Sequence, residues 1–273
     1  MFFARQRAAL CCLLTLLWTL PGTVQAADPG PPLVLERTIL LPGVSGRVDH
    51  MAVDLRRGRL FVAELGNGTV DVVDLAASQA IHRIAGLKEP QGVGYSPQAD
   101  VIAVTSAGDG TVRLFKGEDF SPLGMVSLGE DADNIRVDSR SGQVFVGYGK
   151  GGLAAIDPIS RSVVSRARLP AHPEGFAIDV ATHRAYVNVP DAHQIGVVDL
   201  ATGRQTATWQ MPGLRASYPM SLDETQGLLA TASWDPARLV LLDTANGAVK
   251  ANVETCGAGA CSWPNSATAP LMW

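Results

Sequence analysis

Five residue pairs hold most of the groups that could do chemistry in this chain: Asp49-His50, Gln91-Gly92, Asp133-Asn134, Glu174-Gly175 and Tyr218-Pro219. Arg47, Glu89, Asp131 and His172 stand close beside them. Carboxylate and amide oxygens brought to one place suit a small polar or cationic ligand, or a hard cation such as Ca²⁺. His50 and His172 become general bases only if a neighbouring carboxylate orients them. The competing reading is a hydrated rim whose polar groups satisfy strand ends and bound water. The candidate ligand-binding set is Asp49, His50, Gln91, Asp133, Asn134, His172, Glu174 and Tyr218. No residue is assigned to catalysis, and no metal-ligand set is assigned.

These pairs are placed by a repeat. A short apolar strand ends at Asp54, Ser96, Asp138, Asp179 and Asp223, with gaps of 42, 42, 41 and 44 residues. A second strand follows each time, as in Leu60-Phe61-Val62-Ala63 and Ala185-Tyr186-Val187-Asn188. A turn rich in Gly, Asn, Asp or Pro comes next, such as Gly66-Asn67-Gly68 or Trp234-Asp235-Pro236-Ala237. A third strand closes at Asp74, Lys116, Asp157, Asp199 and Asp243. A period near 42 with several short strands per unit predicts an all-β fold, a β-propeller of four-stranded blades. In the first repeat the strands are expected at 48–53, 59–64, 69–74 and 79–84. Val, Ile and Leu dominate because both faces of the central strands are buried when blades stack. Asp54, Asp138, Asp179 and Asp223 precede tight turns, where Asp accepts backbone N–H bonds, so their repetition is structural. In such a ring the first strand of each blade lines a central channel, and the five pairs sit at its mouth.

The termini carry separate signals. Residues 1–26 combine Arg5 and Arg7, an apolar core and Val24-Gln25-Ala26, which reads as a secretory signal peptide. Residues 27–46 read as a tether followed by a closing strand at 33–41 (LVLERTILL), which would complete the last blade. Residues 47–256 hold five repeats, and 257–273 form an irregular tail. Removing the leader leaves 26 acidic and 20 basic residues, a net charge of −6. That balance opposes a generic nucleic-acid footprint. No later stretch is long and apolar enough to span a bilayer as a helix. Cys256 and Cys261 could close a small loop in an oxidising compartment, and no further ligands at metal spacing surround them. Nucleophile-elbow, H-E-x-x-H, phosphate-loop and dinucleotide motifs are all absent.

The segments Arg184-Ala185-Tyr186-Val187-Asn188 and Ile195-Gly196-Val197-Val198-Asp199-Leu200-Ala201-Thr202-Gly203 resemble YVTN-type propeller repeats. Leu60-Phe61-Val62-Ala63 with Val70-Asp71-Val72-Val73-Asp74 is similar. The resemblance covers about residues 47–255 and points to the YncE-like family of exported bacterial propellers. It implies a seven-bladed disc and a periplasmic or secreted location, with no settled chemistry. Five repeats would then be part of a seven-bladed parent, truncated or frameshifted near Cys256. The expected role is a soluble module that binds a small molecule or protein through its channel mouth and top loops. One alternative is a metal- or cofactor-dependent hydrolase or oxidoreductase of the lactonase or quinoprotein kind, using Asp49, His50, Asp133, Asn134 and Glu174. Another is single-stranded DNA binding on Tyr148, Tyr218 and Trp234, which the charge balance disfavours. The sequence names no cofactor.

Overall fold

The computed structural model describes residues 34–255. The signal peptide and the tail expected at the termini lie outside these residues. The chain divides into two units, residues 1–38 and 39–273. The described part of the first, 34–38, is irregular, and every strand belongs to the second.

The second unit holds five antiparallel four-stranded sheets, each formed by consecutive strands. Blade one contains β1 (Met51–Asp54), β2 (Arg59–Glu64), β3 (Thr69–Asp74) and β4 (Gln79–Ile84). Blade two contains β5 (Pro90–Ser96), β6 (Val101–Ser106), β7 (Thr111–Lys116) and β8 (Pro122–Ser127). Blade three contains β9 (Ala132–Val137), β10 (Val144–Tyr148), β11 (Gly152–Asp157) and β12 (Ser162–Arg168). Blade four contains β13 (Phe176–Asp179), β14 (Arg184–Val189), β15 (Gln194–Asp199) and β16 (Arg204–Gln210). Blade five contains β17 (Arg215–Asp223), β18 (Leu228–Asp235), β19 (Ala237–Asp243) and β20 (Val249–Glu254). The fold is an all-β propeller architecture, and five blades are described.

Alternation along the strands builds the interfaces. On β6, Ile102 and Val104 pack with Phe61, Val70 and Val72 of blade one. Their neighbours Val101 and Ala103 point the other way and pack with Ile135, Val144 and Val146 of blade three. One strand thus serves two cores, which explains its unbroken apolar run. Phe145 and Leu153 meet Phe176 and Val187 between blades three and four. Tyr186 and Ile195 meet Leu229 and Val240 between blades four and five. The first strands β1, β5, β9, β13 and β17 adjoin one another in chain order. Among the described residues no helix is long and apolar enough to cross a membrane.

One local expectation needs correction. Residues 34–41 form no strand. Alternation yields a strand only where a partner edge takes up the backbone groups, and Val34, Leu35 and Leu40 are 77–82% exposed. Trp234-Asp235-Pro236-Ala237 is the turn between β18 and β19, as expected. β18 runs on to Asp235, and Trp234 pairs with Ala237. The long ladder continues because only Asp235 and Pro236 are needed to reverse the chain.

The recurrent aspartates hold the turns. Asp54 Oδ1 accepts N–H bonds from Arg56 (3.0 Å) and Arg57 (3.3 Å), and Asp138 Oδ1 accepts from Arg140 (2.7 Å) and Ser141 (3.2 Å). Asp179 and Asp223 do the same for Thr182 and Gln226. Asp54 also pairs with Arg57, whose guanidinium reaches across to Asp100 of blade two at 2.8 Å. Burial alone would raise the Asp54 carboxyl, but the side-chain and backbone bonds from Arg57 and Arg56 outweigh it and hold it below its ordinary value. Asp138 is lowered in the same way, its burial outweighed by Arg140 and Ser141.

Asp54→Ala should therefore destabilise the fold by about 1–3 kcal/mol, since two N–H groups and Arg57 lose their acceptor. Asp54→Asn, which keeps the turn acceptor, should cost less. Because both carboxyls are lowered, their stabilisation is whole above the ordinary value of 3.8 and is lost as pH falls through their folded values. Urea melts at pH 7 and below pH 4 check this; equal losses for both variants at both pH values would contradict it.

Candidate functional site

The polar pairs sit at the leading ends of the first strands, where consecutive blades come closest. Glycine makes that approach possible at two of them. A Cβ on Gly92 would lie 2.5 Å from the Asp133 carbonyl of the next blade. A Cβ on Gly175 would collide with the Tyr218 carbonyl. Side chains then fasten the neighbours. The Gly92 N–H donates to Thr105 Oγ1 at 2.7 Å, and that hydroxyl donates to the Asp133 carbonyl at 2.5 Å. Asn188 Nδ2 donates to Thr231 Oγ1 at 2.9 Å and to the Tyr218 carbonyl at 3.4 Å. The His50 N–H donates to the Gln91 carbonyl at 3.2 Å. Tyr218-Pro219 interrupts the ladder of β17, because the register shifts between Ser217 and Met220. Proline has no N–H to give a ladder, and a bulge absorbs it.

The candidate residues do not form one uniform set. Asp133, His172 and Glu174 converge, with one potential ligand atom from each lying within 4.8 Å of the others. Asp133 comes from β9, whereas His172 and Glu174 lie in the connection from β12 to β13. That connection is fixed by Glu174 N–H to the Asn188 carbonyl (2.9 Å) and Asn188 N–H to the Gly175 carbonyl (3.0 Å). Asp49 and His50 make a second group. Asp49 pairs with Arg47 at 2.6 Å, and His50 Nδ1 lies 3.0 Å from Asp49 Oδ1 without forming a hydrogen bond. Gln91 touches this group through its backbone. Tyr218 packs edge-on against Trp234, with ring centroids 5.0 Å apart.

The converging group is rich in acceptors. Asp133 is 6% exposed and Asn134 4%, and the Oδ1 atom of each is buried without a hydrogen-bond partner. His172 Nδ1 lies 2.6 Å from the Gly149 carbonyl, which can only accept, so Nδ1 carries a proton. His172 Nε2 then faces Asp133 Oδ2 at 3.7 Å, and Asp131 Oδ2 lies 3.6 Å from Nδ1. The Asp133 carboxylate, helped by the Gly149 carbonyl, Glu174 and Asp131 against the effect of burial, raises His172 to about 9. Burial, reinforced by Asp133, raises Glu174 to about 7. Asp131 is also raised, chiefly by burial.

Asp131 is the residue that position along the repeat undervalued. It stands beside the Asp133-Asn134 pair in the repeat, yet it faces the same imidazole as Asp133. Thr105 and Asn188 were not singled out at all. Their signal was available: a polar residue late in a buried second strand needs a partner, and here the partner is the next blade. Further along the same first strands lies a cavity of about 310 Å³, lined by Arg136, Ala177, Ile178, Met220 and Leu222 among others. It is separate in composition from the acidic cluster and contains none of the candidate residues.

No family model matches the chain, and no curated protein matches it. Among solved structures, hydrazine synthase of Kuenenia stuttgartiensis is similar, with a TM-score of 0.65 and 15% identity over 82% of this chain and 68% of that one. At that identity the likeness shows the fold alone.

The two raised groups set a pH profile for the metal-free protein. Glu174 ionises more readily unfolded (4.5) than folded (about 7), so stability falls across that window. The contribution of His172 is whole below 6.5 and is lost as pH rises through about 9. Urea unfolding in EDTA should show both declines. Glu174→Gln should flatten the lower one and His172→Gln the upper. A profile unchanged by either substitution would contradict the assigned electrostatics.

Proposed function

We propose that this chain is a binding module that takes a small cationic ligand at the leading ends of its first strands. The observation that carries the reading is the acceptor surplus around Asp133. Buried polar atoms are normally paired, because an unpaired one costs about 1–3 kcal/mol. Asp133 buries an oxygen with no donor next to His172 and Glu174, and Asn134, beside it on β9, buries another. Such a site attracts positive charge and repels anions. The leader read in residues 1–26 supports a periplasmic or secreted setting. The YVTN-like wording of β14 and β15, together with the propeller fold, supports the YncE-like reading.

Single-stranded DNA is disfavoured by the same observation, since phosphates would meet this acidic surface. The aromatic platforms are also partly engaged. Tyr218 and Trp234 pack on each other, and the Tyr148 hydroxyl accepts from Arg166 Nε at 3.2 Å.

The test is a thermal-shift series on the full chain with three probes: Zn²⁺, Ca²⁺ and the organic dication putrescine. At about 100-fold above its Kd, a ligand stabilises by about 2.7 kcal/mol. For a domain of this size that raises Tm by roughly 5–11 °C. At least one probe should do this in the wild type and do so less in Asp133→Asn and Glu174→Gln, both of which should still melt cooperatively. No shift with any probe, or equal shifts in the variants, would overturn the reading.

A further inference from the structure

We infer that Asp133, His172 and Glu174 together hold a single divalent transition-metal ion, through one imidazole nitrogen and two carboxylates. The inference rests on the binding role proposed above and names the ligand class of that site. Its first support is the imidazole. Nδ1–H is committed to the Gly149 carbonyl at 2.6 Å, so Nε2 is the ring atom that faces the cluster, and an ion binding there displaces its proton to solvent. A ring nitrogen tied to a backbone carbonyl is the usual way a ligating histidine is oriented. Its second support is spacing. Nε2 and Asp133 Oδ2 are 3.7 Å apart, too far for a hydrogen bond. Two ligand atoms on one tetrahedral ion with bonds of about 2.1 Å lie about 3.4 Å apart. The cluster as a whole spans 4.8 Å, so small side-chain rotations close it around an ion.

The third support is independent of the cluster's shape. Asp133 is 6% exposed and its Oδ1 has no donor. A carboxylate in that position needs a cation. The basic side chain on the same strand acts on it only through space, and the His172 ring that faces it stays 3.7 Å away. Arg136 Nη1 donates to the Ile135 carbonyl at 2.7 Å, and its guanidinium lies 5.6 Å from the centre of the Phe176 ring. Arg47 is spent on Asp49. The donor set then selects the ion. Ca²⁺ and Mg²⁺ prefer oxygen alone, whereas imidazole with carboxylates suits Zn²⁺ and its first-row neighbours. Three protein ligands leave coordination positions for an outside molecule.

The experiment uses the full chain without a metal-binding tag, stripped with EDTA and titrated calorimetrically with Zn²⁺, Ca²⁺ and putrescine. One Zn²⁺ per chain should bind, at least tenfold tighter than Ca²⁺. His172→Gln, Asp133→Asn and Glu174→Gln should each weaken Zn²⁺ at least tenfold, while the Cys256→Ser, Cys261→Ser double variant should keep it. Co²⁺ in the wild type gives a readout that does not depend on the variants folding. It should show visible ligand-field bands without a thiolate charge-transfer band. Zn²⁺ binding that survives all three ligand substitutions, or a thiolate band with Co²⁺, would overturn the inference. If Zn²⁺ does not bind but putrescine or Ca²⁺ does so in a Glu174-dependent way, the metal assignment fails and the binding reading stands. If no probe binds, both fail.

Discussion

Consecutive first strands must come within backbone contact at their leading ends, and the rest of the molecule depends on that approach. It is why Gly92 and Gly175 carry no side chain: the carbonyls of Asp133 and Tyr218 occupy the space. It is why Thr105 and Asn188 are polar in otherwise apolar strands, since each bridges to the next blade. It also brings side chains from different blades together where little water and few donors are available. The acceptor surplus around Asp133 follows from the packing geometry and does not require any residue unusual in itself.

At their far ends the same strands are held by charge. Arg57 links Asp54 of blade one to Asp100 of blade two, and Ser96 Oγ donates to the Gly142 carbonyl of blade three at 2.9 Å. The leading ends are left electrostatically incomplete by comparison. Compensated charges tie the blades near the turns, whereas at the leading ends Asp131, Asp133 and Glu174 gather about one imidazole. A cation at the leading ends would complete the pairing that the protein leaves open.

Much of the fold was legible in the sequence, and the reasons are local. Period-2 alternation and the Gly-Asn-Gly turn specify β2, β3 and β4 to the residue. The first strand was read as 48–53 and begins at Met51, because Asp49 and His50 already bond to the Ala63 backbone at 2.8 and 2.9 Å in a less regular way. Residues 34–41 show the limit of the method, since their alternation names no partner edge. The site was legible only in part. The repeat singled out Asp133 and Glu174 as equivalent positions, and equivalence says that they share a level, not that they touch. The convergence with His172 depends on the path from β12 to β13, where Pro173 packs against Gly147. Nothing in a 42-residue period records that path. Asp49 and His50 occupy the matching position in blade one, and there Asp49 is paired with Arg47.

The most direct test of this account is an experimental structure of the protein soaked with Zn²⁺, with anomalous scattering collected at the zinc edge. The account gives one strong peak bounded by Asp133, His172 Nε2 and Glu174, with His172 Nδ1 still on the Gly149 carbonyl. Those three side chains standing apart, or zinc peaks found only elsewhere on the chain, would contradict it.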